Sequence, residues 1–253
     1  MIATVDWGQP WLTHLKASGE QVTQALASGL PLHLALGTVH SDGVRFVPQQ
    51  QLPEGEAYER FIFNTGQCPT RDNLHDFFNG LCWLQFPRTK RALNRLQAEA
   101  IARDGIGSVR GAVRDAVTVF DENGAVLLAP RAIWDALLAR DWRRLFVELR
   151  SDWDHATLLV FGHALLEGLA DPRKELTAHI WRPEVAAPSV AVVPDVADMD
   201  AWLAAQCSPG FLATKPFTPL PVLGVPGWWP GNTNFSFYDD SHVFRPRRTP
   251  EPR

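Results

Sequence analysis

Four short stretches of the chain hold side chains able to do acid, base or metal chemistry. In RDNLHDFFN (71–79), Asp72, His75, Asp76 and Asn79 fall at i, i+3, i+4 and i+7, one stripe of a helix, while Leu74, Phe77, Phe78 and Leu81 take the core-facing side. His, Asp and Asn are weak helix formers, so a stripe built from them asks for a local reason; the competing explanation is an ordinary solvated face. In FGHALLEGL (161–169), His163 and Glu167 stand one turn apart in an apolar segment, where each needs a partner if buried. His75, His163, Glu167 and His179 are the nitrogen and oxygen ligands that a catalytic zinc, iron or manganese ion takes. The HxxxE spacing matches no established metal signature, and a single buried histidine is more often a satisfied core residue.

The third stretch is RDAVTVFDENG (114–124), where Arg114, Asp115, Thr118 and Asp121 share a helical face. Asp121 and Glu122 read most simply as turn chemistry before Gly124, which leaves Arg114 and Asp115 open to a role. The fourth joins PLPVLGVPGWWPGN (219–232) to FYDDSHVFR (237–245). A proline-locked segment of this kind runs over a surface and covers something. Either it is a strap sealing the core, or Trp228, Trp229, Phe237 and Tyr238 wall a pocket edged by Asn232, Asp239, Asp240 and Arg245. The resulting site assignment gives catalytic roles to His75, Asp76, His163 and Arg114. It gives substrate contacts to Arg71, Asn79, Asp115, Trp228, Asn232, Tyr238, Asp239 and Arg245.

Other chemistries lack their required parts. The chain has no GxGxxG after a strand, no GxxxxGK[ST], no GxSxG elbow and no HExxH. Cys68 stands near His75 in sequence, but nothing around it suggests a lowered pKa, so it reads as a small buried hydrophobe. Cys68, Cys82 and Cys207 are an odd number without CxxC spacing, which argues against a disulfide framework and for a reducing compartment. A net charge of −4 counts against nucleic acid as a partner. The basic runs Arg88, Lys90, Arg91, Arg95 and Arg140, Arg143, Arg144 are more cheaply explained as solvated helix faces. The start carries no signal-peptide pattern and no stretch is apolar enough for a membrane span, so the expectation is a cytoplasmic protein with a small-molecule ligand and no membrane or nucleic-acid partner.

The elements that must position these residues are mostly helices. Apolar spacing predicts a first helix over 10–27 ended by Gly29, then a brief hairpin around Asp42-Gly43 in VHSDGVRFV. Thr70 or Asp72 caps a helix through NLHDFFNGLCWL (73–84), and a second helix, TKRALNRLQAEAIAR (89–103), shows Leu93, Leu96, Ala100 and Ile101 on one face. Ser108 caps a segment over 109–121, PRAIWDALLARDWRRLFVELR (130–150) supplies one or two more helices, and HATLLVFGHALLEGLAD (155–171) reads as a buried central helix. ELTAHIW and PSVAVVPDV are short extended pieces, ADMDAWLAAQC is a short helix, and 247–253 is a frayed tail. The fold expected is mainly α (α+β): one helical domain over 1–246 with a minor β component and a Pro/Trp-rich C-terminal strap.

Taken in order, PTRDNLHDFFNGLCWLQFPRTK, RDAVTVFDENGAVL, FGHALLEGL, TAH and FTPLPVLGVPGWWPGN with FYDDSHVFRP resemble the bacterial family known as domain of unknown function 3025. The resemblance runs from about Trp7 to Pro246 and implies a single family domain; it carries no activity or catalytic residues with it. The residues themselves point to a metal-assisted hydrolase or related enzyme acting on a small polar or phosphorylated molecule. The alternative is a non-catalytic small-molecule or protein-binding domain using the Trp-rich pocket.

Overall fold

The computed structural model describes residues 2–105, 111–183 and 195–247. A 3-10 turn over Pro10–Leu15 leads into α1 (Lys16–Ala27), followed by α2 (Leu32–Leu36). Next come β1 (Arg45–Pro48), α3 (Tyr58–Thr65) and β2 (Gln67–Thr70), then three longer helices, α4 (Leu74–Gln85), α5 (Pro87–Asp104) and α6 (Ala112–Asn123). The second half runs β3 (Gly124–Leu128), α7 (Arg131–Ala139), β4 (Thr157–Val160), α8 (His163–Leu169), β5 (Thr177–Trp181), α9 (Val196–Gln206), α10 (Pro209–Ala213) and β6 (Phe217–Pro221). Helix makes up 59% and strand 12% of the described residues, so the fold is mainly α with a minor β component.

Strands β4, β3, β5 and β6 form one sheet in that order, antiparallel except for the parallel β3–β5 pair. All five residues of β3 are buried, because the sheet lies between two cores. Side chains alternate faces along a strand. Ala125 and Leu127 join the larger core with Phe77, Phe78 and Leu165, while Val126 and Leu128 join the smaller one with Leu93, Phe120 and Met199. The break between α4 and α5 is made by Pro87, which suits a first helical position because it has no N–H to satisfy. The N–H groups of Arg88 and Thr89 that follow are accepted by the buried Asp200 carboxylate of α9, at 2.9 and 2.8 Å.

Several local expectations change. The Asp42-Gly43 segment is no hairpin: β1 pairs in parallel with β2, and α3 supplies the crossover that parallel pairing requires. Asn73, rather than Thr70 or Asp72, caps α4, its side chain accepting from Asp76 N at 2.7 Å, while Asp72 instead accepts from Leu32 N at 2.8 Å. The stretch 155–171 is not one helix but β4, a two-residue corner and α8. Gly162 makes that corner possible, since a Cβ there would lie 2.5 Å from the backbone of Glu122, Asn123 and Gly124. Ser108 and most of 188–196 lie outside the described residues, as does the tail from 248.

The C-terminal strap seals the larger core. Buried Asn232 donates to Leu223 O and Val225 O at 2.9 and 2.8 Å, and Tyr238 donates to Gly224 O at 2.9 Å. Arg150 clamps both from below, through Asn232 Oδ1 and the Tyr238 hydroxyl. Two residues read from sequence as substrate contacts are therefore internal ties.

Candidate metal centre

Helix α4 carries His75 in its first turn, and α8 carries His163 at its first position. The two helices pack against each other, and α8 also packs on α6, whose last turn holds Asp121 and Glu122. Close contact at Gly162 brings the start of α8 onto the end of α6, and this sets His163 beside those acids. Together with Tyr58 and Glu59 of α3 and Lys90 and Asn94 of α5, they line a cavity of about 330 Å³.

The distances within it define a polar chain. His75 Nδ1 is 2.8 Å from Glu167 Oε2, and its Nε2 is 3.1 Å from His163 Nε2. His163 Nε2 lies 3.6 Å from Glu122 Oε2, and its Nδ1 lies 3.7 Å from Asp121 Oδ2. Atoms of His75, His163 and Glu122 come within 4.8 Å of one another. Behind them Lys90 Nζ donates to Asp121 Oδ1 at 2.6 Å and to Asn79 Oδ1 at 2.9 Å. Asn79 Nδ2 donates to the Tyr58 hydroxyl at 3.1 Å, which leaves that O–H to point at Cys68 Sγ, 3.2 Å away.

The partners decide where the ring protons sit. Glu167 draws a proton to Nδ1 of His75 and leaves its Nε2 as an acceptor, while His163 Nδ1, 3.7 Å from Asp121, is beyond hydrogen-bond reach of that carboxylate, so His163 Nε2–H can donate to His75 Nε2. The two Nε2 atoms thus face each other at hydrogen-bond distance with the Glu122 carboxylate beside them, a set of two nitrogens and one oxygen of the kind that can hold a cation. Neighbouring ligands about 2.05 Å from a tetrahedral ion would be about 3.3 Å apart, close to the spacing of the two nitrogens. A carboxylate on the far nitrogen of a histidine, as Glu167 is to His75, is the usual support for a metal-ligating ring.

The surrounding electrostatics agree. Burial pushes the His163 pKa down to about 4 despite Asp121, so the ring is neutral and its lone pair is available at neutral pH. Burial raises the Glu59 pKa, helped by Asp121, against the opposing pull of Lys90 and the Asn94 bond. Burial alone would lower Lys90, yet the Asp121 charge prevails and raises it, so the ammonium stays charged. The Cys68 thiol is pushed up to about 12 by burial and is inert as a nucleophile.

Of the residues singled out from sequence, His75, Asp76, His163, Arg71 and Asn79 line this cavity, and Glu167 holds His75 from behind. Arg71 sits at its edge in a two-bond pair with Asp76, at 3.1 and 2.8 Å. The others lie elsewhere. His179 alternates with Ala178 and Ile180 along β5, so it turns to the face of Trp181 and packs on Phe217 rather than joining the other histidines. Arg114 lines a neighbouring pocket, Asp115 pairs with Lys215 on the surface, Asp239 is exposed, and Arg245 bonds His242 O at 2.8 Å. Trp228 and Trp229 do wall a cavity, of about 390 Å³ with Trp11 and Leu169, but it contains none of the site's histidines.

Sequence reasoning missed Glu122 and Asp121, which looked like turn residues because Asn123-Gly124 follows, and Lys90, which looked like part of a solvated basic run. A signal existed for Lys90: it falls three before Leu93, on the apolar stripe of its helix. The clustering of Tyr58 and Glu59 with residues of α5 and α6 had no local signal at all. No curated protein and no solved structure is significantly similar to the chain. A family model does match residues 44–248, a span containing the whole cavity and Glu167. The chain thus belongs to the family described as protein of unknown function, DUF3025.

Proposed function

We propose that this protein is a metal-assisted enzyme of hydrolase type, with a divalent ion held by Nε2 of His75, Nε2 of His163 and the Glu122 carboxylate, acting on a small polar molecule. The reading rests on one observation: two imidazole nitrogens 3.1 Å apart and a carboxylate, with the outer face of His75 held by Glu167. Two histidines and one carboxylate leave positions open for water and substrate, and they suit zinc or iron(II). A bound ion would supply a nucleophile from water at neutral pH and polarise the oxygen under attack. The protein's own groups complete the work. Glu167 fixes the His75 tautomer. Lys90 neutralises Asp121, so that the cavity does not carry excess negative charge. Glu59, its proton held more readily than an exposed carboxylate's, lines the same cavity and is the candidate acid or base.

Elemental analysis of protein purified without an affinity tag tests this directly. Near-stoichiometric zinc, iron or manganese is expected, lost in a His75→Ala/His163→Ala double variant and weakened roughly 10–100-fold by Glu167→Gln. Absence of metal from the wild type, coupled with no uptake on titration with zinc or iron(II), removes the proposal. A second reading is favoured by the Trp11/Trp228/Trp229 cavity, an apolar hollow large enough for a small ligand. There the protein binds without catalysis, and quenching of Trp fluorescence by a ligand that ignores the histidine variant distinguishes the two.

A further inference from the structure

Beside the histidine cavity is a second, smaller one of about 230 Å³. Tyr58, Glu59, Gln97, Asp121 and Glu122 line both, so a single wall separates them. Arg114, from the first turn of α6, lines the smaller cavity and is only 8% exposed. A guanidinium is always charged and carries five N–H donors, so a buried one needs an acceptor of matching charge. Arg114 lacks one among the described residues: its Nε has no partner, and its one hydrogen bond, from Nη1 to Gly105 O, is long at 3.4 Å. None of the three acids on that wall forms an ion pair with Arg114: Asp121 accepts from Lys90 at 2.6 Å, Glu59 accepts from Asn94 Nδ2 at 2.6 Å, and Glu122 Oε2 lies 3.6 Å from His163 Nε2.

We propose that this pocket is an anion subsite in which Arg114 receives a carboxylate group of the substrate, whose reacting part lies across the shared wall against His75, His163 and Glu122. The planar guanidinium fork matches a carboxylate in two parallel bonds. Acid side chains on the same wall would repel a phosphate dianion more strongly than a singly charged carboxylate. The placement of the reacting part rests on the metal-centre reading; binding of the anion does not.

The test is titration of chelator-stripped protein with acetate, against chloride at equal ionic strength and with inorganic phosphate for comparison. Wild type and the His75→Ala/His163→Ala variant are expected to bind acetate alike, Arg114→Gln about 10-fold or more weakly, and Arg114→Lys in between. Equal binding by Arg114→Gln, or no saturable binding to the wild type, overturns the subsite. Loss in the histidine variant alone puts the anion at the histidines and also overturns it, while leaving the metal reading intact. Phosphate preferred over acetate in an Arg114-dependent manner overturns the carboxylate assignment. Acetate binding that follows Arg114 in a protein unable to take up metal sinks the metal reading and keeps the subsite.

Discussion

Replacing Lys90 by Met removes the cation from the centre of the polar chain and should be among the most damaging single changes in the protein. The Lys90 and Asp121 side chains are 5% and 16% exposed and meet at 2.6 Å. Without the ammonium, Asp121 keeps its charge in a nearly dry site, and breaking such a pair from one side costs about 3–5 kcal/mol. The residual exposure of Asp121 puts the value toward the lower end, and Asn79 Oδ1, losing its donor, adds about 1 kcal/mol. Asp121→Asn costs less, roughly 2 kcal/mol, because the stranded ammonium keeps Asn79 and the face of Trp83 5.3 Å away. The Lys90→Met/Asp121→Asn double variant has no stranded charge and should sit close to the milder single variant, so the coupling equals the cost of Lys90→Met, about 4 kcal/mol. Urea denaturation at pH 7, followed by the fluorescence of the 10 tryptophans, measures all four corners of the cycle. If the two single effects simply add, or Lys90→Met costs under about 1 kcal/mol, the ammonium is not the counter-charge of Asp121 and the electrostatic account of the cavity wall is wrong.

Two further expectations concern the frame of the site. Gly162→Ala should destabilise by about 1–3 kcal/mol or more and abolish metal uptake together, since its Cβ meets only backbone atoms at 2.5 Å and can be admitted only by lifting α8 off α6. Gly168→Ala, whose Cβ would meet just the Leu176 side chain at 3.1 Å, should leave uptake intact, and zinc titration of both variants checks the contrast. Acid should weaken the fold through His14, whose Nε2 bonds Val160 O at 2.8 Å and whose pKa burial lowers from 6.5 to about 4. Between these values the unfolded chain binds the extra proton, so stability is complete above pH 6.5 and falls by about 3 kcal/mol as the pH drops to 4. Comparing urea midpoints of wild type and His14→Gln at the two ends of that window should show a flatter profile in the variant.

Legibility in the sequence followed the range of the forces involved. Helix periodicity and proline breaks are local, so α4, α5, α6 and α9 were visible with boundaries a few residues out. The pairing of β1 with β2 depends on contacts across α3, and the two strands carry no alternation strong enough to announce a parallel pair. The segment 155–171 misled because a strand buried on both faces and a buried helix are alike in composition; what separates them is Gly162, whose meaning appears only once the end of α6 is pressed against it. Within the site, His75, His163 and Glu167 stood out because their polarity clashed with their surroundings. Glu122 did not, since its position before Asn-Gly offered an easier explanation, and His179 was included for its residue type although strand alternation turns it away.

The same clash explains why the polar chain is informative about function. A run of groups from Cys68 through Tyr58, Asn79, Lys90 and Asp121 to His163, His75 and Glu167 sits among residues that would pack more stably as aliphatic side chains. Stability alone does not keep such a network, because a partly satisfied one costs more than an apolar core. Where its members do satisfy one another, from Lys90 to Cys68, the chain is rigid and closed. At its edges, His75, His163 and Glu122 converge as possible ligands of a cation, and the Nε of Arg114 has no partner among the described residues. A possible cation site and an unpartnered guanidinium nitrogen on the two sides of one wall are what a substrate bearing a negative charge, bound next to a metal ion, would use together.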